Sequence, residues 1–284
     1  MPIVPVFDPD TGASGGPTTG GGGGGGGAME WVELGRTDLT GLDSASYTTV
    51  GTYTANKGGV AFVDFQISRT GSTGFTCTVD ADGILIDGPT STQGTIQLGI
   101  TDTETVSRTG AGVLTLADWT EPVALQMQID AITTSGVAGN GSIYGIASNR
   151  NLPVTSGTMH GARLDNDGAF MDLDARVYRG GASDQQWEAN YLDATTGPWS
   201  GLLTVIIHYG QIAELWFNEG NTAFIEPRTE ATGPALAGGS VPTGVYIPAY
   251  STAGVGIAVV KTSSGTATVR IKGWRWLRWQ EVTP

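Results

Sequence analysis

The chain reads as an all-β protein: a two-sheet antiparallel β-sandwich preceded by a flexible N-terminal peptide. Three observations predict this. Apolar residues recur with period two, no window of helical length carries an i, i+3, i+4 stripe, and turn signals punctuate the strand-like runs. In "VALQMQIDAI", Val123, Leu125, Met127 and Ile129 alternate with Ala124, Gln126, Gln128 and Asp130. In "VAFVDFQIS" one face carries Ala61, Val63, Phe65 and Ile67, the other Phe62, Asp64, Gln66 and Ser68. "MDLDARVY" sets Met171, Leu173, Ala175 and Val177 against Asp172, Asp174, Arg176 and Tyr178. "LLTVIIHYG" and "VGIAVVK" are apolar enough for sheets covered on both faces. The turns between strands fall at "DADG", "DNDG", "NEGN" and "TSSGT". No repeat of 20–50 residues is found, which disfavours a propeller or β-helix and leaves the sandwich.

Residues 1–29 form a separate unit. "MPIVPVF" is apolar and held extended by its prolines, because proline restricts itself and the residue before it. "DPDTGASGGPTTG" has linker composition. Then come eight glycines, Gly20, Gly21, Gly22, Gly23, Gly24, Gly25, Gly26 and Gly27, a hinge that spans at most roughly 3.3–3.6 Å per residue. A purely solvated tail has no need of four large apolar side chains. Ile3, Val4, Val6 and Phe7 are therefore expected to anchor on a partner, the glycines supplying reach, against the plainer reading of a terminus without a role. Residues 30–284 are read as one β-sandwich, the alternative being two smaller ones split near residue 150 at "SNRNLPVTSG".

Composition bounds the function. With 27 acidic and 14 basic side chains the net charge is −13. Nucleic-acid binding needs clustered Lys and Arg, and anionic membranes repel such a chain. No apolar run approaches the roughly 20 residues that cross a bilayer, so no membrane insertion is expected. The first residues lack a basic region and an unbroken apolar stretch, so they do not read as a secretory signal, and synthesis and folding in the cytoplasm are expected. The single cysteine, Cys77, allows no intrachain disulfide and reads as a small buried strand residue.

Two resemblances follow. "GLLTVIIHYGQIAELWFNEG" gives a long strand, a tight turn and a strand ending in an Asn-Glu-Gly turn. "GVGIAVVKTSSGTATVRIKGWRWLRW" gives a core strand, a hairpin and an aromatic final strand. This succession, over residues 160–280, resembles the concanavalin-A-like, laminin-G-type jelly roll, which implies that the last strand returns beside the first: "GWRWLRW" next to "EWVELG". The whole chain, with its anchor, tether and Gly/Thr/Ala-rich β-domain poor in lysine (Lys57, Lys261, Lys272), resembles an appendage of a tailed-phage virion, of the fibre, spike or head-decoration type. That resemblance implies virion-protein partners at the N-terminus, a homo-oligomer of fibre-like trimeric form, a place in the virion, and attachment to host-surface polysaccharide. A capsid decoration protein without glycan affinity is the alternative.

The chemistry expected is non-catalytic. The jelly-roll glycanases' Glu-x-Asp-x-x-Glu signature is absent. Asp172 and Asp174 share a face at i, i+2, but beside Arg176 they read as a solvated row rather than an acid pair, so a glycan hydrolase is the weaker alternative. Two histidines, His160 and His208, and one cysteine do not make a zinc site or a triad. No cofactor is expected. Ca2+ is the one ion with candidate ligands, Asp80 with Asp82 and Asp165 with Asp167, although Asp-Gly is also ordinary hairpin chemistry. The candidate glycan site is the row Asp172, Asp174, Arg176 and Tyr178 with Trp187 and Tyr191, which combines hydroxyl-binding groups with rings that stack on a pyranose. Among eight tryptophans, Trp274, Trp276 and Trp279 lie in the last strand. Trp274 and Trp276 share a face with Arg278, while Arg275, Leu277 and Trp279 point the other way, unless Gly273 hosts a bulge that resets the phase. The rings either fill the seam between sheets while the arginines reach water, or meet a sugar or a neighbouring subunit.

Overall fold

A computed structural model describes residues 28–71, 76–88, 92–98, 113–115, 122–136, 140–144, 161–166, 171–179, 182–191, 199–208, 211–227, 235–240, 252–254, 256–261 and 265–282. Among these residues there are nineteen strands and no helix. The first eight are β1 (Ala28–Asp38), β2 (Ala45–Tyr47), β3 (Gly51–Lys57), β4 (Val60–Gly71), β5 (Thr76–Asp80), β6 (Gly83–Gly88), β7 (Thr92–Leu98) and β8 (Val113–Thr115). Next come β9 (Val123–Gly136), β10 (Asn140–Tyr144), β11 (Gly161–Asn166), β12 (Met171–Arg179), β13 (Ala182–Tyr191) and β14 (Trp199–His208). The last are β15 (Gln211–Glu219), β16 (Ala235–Ser240), β17 (Thr252–Gly254), β18 (Gly256–Lys261) and β19 (Gly265–Val282).

Two antiparallel sheets carry the fold. The larger runs β16-β15-β14-β9-β19-β6-β5-β2, with β1 also on β19; the smaller runs β13-β12-β11-β10-β18-β7-β4-β3. β8 and β17 form a ribbon. The sheets approach each other where β12 meets β15, β13 meets β16, and β10 and β18 meet β19. Each sheet mixes strands from before and after residue 150.

β19 organises the larger sheet. One side pairs with β9 along most of its length; the other pairs first with β6, from Ala267 to Ile271, and then with β1, from Gly273 to Val282. The closing strand therefore lies beside the opening one, with Trp279 opposite Trp31, as the jelly-roll resemblance implies. The register shifts on either side of Ile271, so the chain has an irregularity next to Gly273, the position the sequence allowed for a bulge. It resets the phase: Ile271 stands opposite Ile129, and beyond the shift Trp274 and Trp276 stand opposite Met127 and Leu125. A side chain at Gly273 would lie 2.6 Å from the Thr37 carbonyl oxygen, so β1 approaches this closely only because residue 273 is glycine.

The period-two pattern accounts for most of the core. Val63, Phe65 and Ile67, Val123, Leu125, Met127 and Ile129, and Trp274 and Trp276 are all buried. Ala61 is an exception: it is exposed beside the β3–β4 turn, and its strand becomes buried from Val63 onward. β14 is covered on both faces, as its sequence suggests, with Leu202, Leu203, Thr204, Val205 and Ile206 all buried. Cys77 is a buried residue of β5, and burial pushes its thiol pKa up to about 12, so it has little thiolate character.

Candidate functional site

The anchor residues Ile3, Val4, Val6 and Phe7 and the hinge Gly20–Gly27 lie outside the described residues, as do His160 and Asp167. For the expected glycan row the backbone register is defined, and the side chains lie outside the description. Asp172 stands opposite Asp165 on β11 and Asn190 on β13; Asp174 stands opposite Arg163 and Glu188. Arg176 stands opposite Gln185 and Tyr178 opposite Ser183. Trp187 and Tyr191 are register partners of Ala175 and Met171, the positions that alternate with the acidic row. The register thus aligns the polar positions of three strands and sets the two aromatic positions at the other parity.

Trp274 and Trp276 are buried at 0% and 1% exposure, so these two rings fill the interior. The Trp276 indole nitrogen finds no acceptor there. Trp279 is half-buried and packs on Trp31, ring centroids 5.5 Å apart and tilted by 58°.

Arg275 corrects the expectation that the arginines of the last strand reach water. It is 9% exposed and is held from three sides. Its Nε donates to Gln126 Oε1 at 2.8 Å, its Nη1 to Glu33 Oε2 at 3.2 Å, and its Nη2 to the Ile225 carbonyl at 2.7 Å. Glu33 also accepts from Arg36 Nε and Nη2, at 3.0 and 2.7 Å. The Phe224 ring lies within 4.9 Å of both guanidiniums, Arg36 and Arg275, an arrangement favoured by the ring quadrupole. On the other side of Gln126, its Nε2 donates to Thr204 Oγ1 at 3.2 Å. One hydrogen-bonded row therefore crosses β14, β9, β19 and β1.

The segment 220–227 covers this face. Gly220, at φ 75°, turns the chain out of β15, and its N–H bonds to the Ser200 carbonyl. Gln128 Nε2 donates to the Thr222 carbonyl at 2.7 Å, while Arg275 and the Phe224 stack hold the far end. Gln126, the polar residue in the alternation of β9, is accordingly 0% exposed. Glu214 and Thr204 are also buried on this face, and Glu214 accepts from the Trp216 indole at 2.9 Å. Asn218 is 2% exposed, and neither carboxamide atom has a hydrogen-bond partner. Leaving such a group unmade costs about 1–3 kcal/mol. Sequence reasoning missed this layer. Its available signals were an arginine set between two buried tryptophans and the "NEGN" turn entering a loop with one aromatic residue.

The charges follow the geometry. Hydrogen bonding by Arg36 is the largest influence on Glu33 and, with Arg275, holds its carboxyl below the ordinary value against partial burial. For Arg275, burial outweighs Glu33 and pulls the guanidinium below its ordinary value. Asp80, a calcium candidate, is engaged by Arg270 Nη1 at 2.5 Å and caps its own turn by accepting from Asp82 N at 2.8 Å. The Arg270 bond holds its carboxyl below the usual range. Among the described residues no group of three His, Cys, Asp or Glu converges as metal ligands do.

No protein-family model matches the chain, and no curated protein sequence matches it. Several solved structures align at low identity. The Emp47p carbohydrate recognition domain is 12% identical, covering 88% of this chain and 98% of that one, with a TM-score of 0.42. The VIP36 exoplasmic/lumenal domain, in a Ca2+/Man3GlcNAc-bound form, is 12% identical over 79% and 87%, with a TM-score of 0.41. The seed lectin of Lotus tetragonolobus is 11% identical over 84% and 100%, with a TM-score of 0.41.

Proposed function

We propose that the chain is a non-enzymatic virion appendage that docks on its particle through Ile3, Val4, Val6 and Phe7 and presents its β-sandwich to glycans of the host surface. The observation that carries this reading is the division of the chain at one point. The glycine run ends at Gly27, β1 begins at Ala28, and Ala28 is already opposite Val282 on the closing strand. With β1 zipped to the closing strand, this reading gives residues 1–27 the roles of hook and tether. The polar positions aligned across β11, β12 and β13 supply the hydroxyl-binding surface in this reading. Fibre-like trimerisation and assembly in the host cytoplasm belong to the same proposal. So does Ca2+, at Asp165 with Asp167 rather than at Asp80 with Asp82, since Arg270 pairs with Asp80.

Deleting residues 1–27 should yield a folded body that no longer enters particles, and normal incorporation would falsify the anchor. A glycan array on the intact oligomer, with and without EDTA, tests the receptor role. No binding by correctly assembled protein favours the capsid-decoration alternative. Polysaccharide cleavage abolished by Asp172→Asn or Asp174→Asn would replace both with a glycanase.

A further inference from the structure

Asn218 is the group on the loop-covered face that no bond within the protein explains. On β14 and β16 its register neighbours are Leu202 and Leu236, neither of which offers a polar partner. The residues around it are otherwise satisfied: Gln126 by Thr204 and Arg275, Gln128 by the Thr222 carbonyl, Trp216 by Glu214. The chain turns directly after it, and the Asn221 N–H reaches back to the Asn218 carbonyl at 3.4 Å, a long bond. Gln128, which holds the Thr222 carbonyl of the first turn of the loop, stands opposite the same Leu202 that Asn218 faces, and Gly220 and Ala223 of that turn are exposed. The ties to Arg275, at Phe224 and Ile225, lie further along.

We infer that Asn218 is the seat for a neutral, hydroxyl-bearing ligand that enters when the turn Gly220–Ala223 lifts. A carboxamide presents a donor and an acceptor side by side, which complements a pair of neighbouring hydroxyls. Glu219 next in the chain and Glu214 on the same strand face disfavour an anion. Entry breaks the Gln128–Thr222 bond and the Gly220–Ser200 backbone bond, and the ligand's hydroxyls satisfy the two buried atoms in exchange. The inference rests on the glycan reading above and names a residue for it that lies apart from the β11–β13 row.

The test uses the full chain, the parent alongside Asn218→Leu and Asn218→Ala, on an array of neutral and acidic oligosaccharides, with thermal unfolding measured in the absence of sugar. The expected result is binding of neutral sugars by the parent, reduced at least tenfold in both variants. The Tm of Asn218→Leu should equal or exceed the parent's, because an unsatisfied group has been removed. Undiminished binding by Asn218→Leu overturns the seat and leaves a trapped water as the amide's partner. A steep fall in the Tm of Asn218→Leu also overturns it, since the amide would then be a structural bond. A parent that binds no sugar sinks the glycan reading itself, and the seat with it.

Discussion

The two faces of the larger sheet are buried by different means. On the face of Leu125, Met127, Ile129, Trp274 and Trp276, apolar side chains exclude water, and burial there contributes in proportion to area. On the opposite face, beside the apolar cluster of Ala124, Ile206 and Leu277, Gln126, Thr204 and Arg275 are nearly as inaccessible, yet they are polar and are held by directed bonds that run to the loop at Ile225. The first face is stabilised by filling space, so each residue acts largely for itself. The second repays its desolvation only while every partner is in position, so its residues stand or fall together. Its gain is specificity: it fixes where the loop lies.

The largest expected effect is on the apolar face. Trp274→Ala opens a cavity and should destabilise by about 3–5 kcal/mol in urea unfolding; a loss under about 1 kcal/mol would mean that this face is loosely packed. Arg275→Leu comes next. It removes one guanidinium but strands Gln126 Oε1 and the Ile225 carbonyl, and should cost about 2–3 kcal/mol. Amide exchange in the loop should rise while β9 stays protected.

Acid then separates the charged rim from the rest. The folded-state carboxyls of Glu33 and Asp80 titrate below their ordinary values of 4.5 and 3.8. A depressed folded pKa contributes stability that is present above the unfolded value and lost as pH falls through the folded one. Unfolding free energy should therefore be level above roughly pH 5 and decline below it. Glu33→Gln should flatten that decline and cost about 0.5–1 kcal/mol at neutral pH, the pair being partly exposed. The smallest effect is expected at Lys57, 3.7 Å from Asp38 with both side chains open to solvent; Lys57→Ala should change stability by about 0.5 kcal/mol or less.

Local patterning reveals the apolar face and conceals the other. Period two identifies β4, β9 and β12, a continuous apolar run identifies β14, and the "DADG" turn marks the β5–β6 hairpin, because those signals reside in neighbouring residues. The pairing of "EWVELG" with "GWRWLRW" followed from the jelly-roll resemblance. The burial of Gln126 and Arg275 could not be read in this way. Their cover is a loop far away in sequence: Gln128 and Thr222 are 94 residues apart. Alternation alone assigns such residues to water. For the glycan row, the sequence identified the strand but not its register, and the register decides which positions lie abreast. Asp165, considered only as a calcium ligand, proves to be the cross-strand neighbour of Asp172.

The direct test is a double-mutant cycle across Gln126 and Arg275 by urea unfolding, with Met127 and Phe65, one from each sheet, as the apolar reference pair. If the loop-covered face is held by mutually dependent bonds, Gln126→Leu with Arg275→Leu should cost less than the sum of the two single changes by about 1–2 kcal/mol. Additivity within about 0.5 kcal/mol at Gln126 and Arg275, equal to that of the reference pair, would contradict the account.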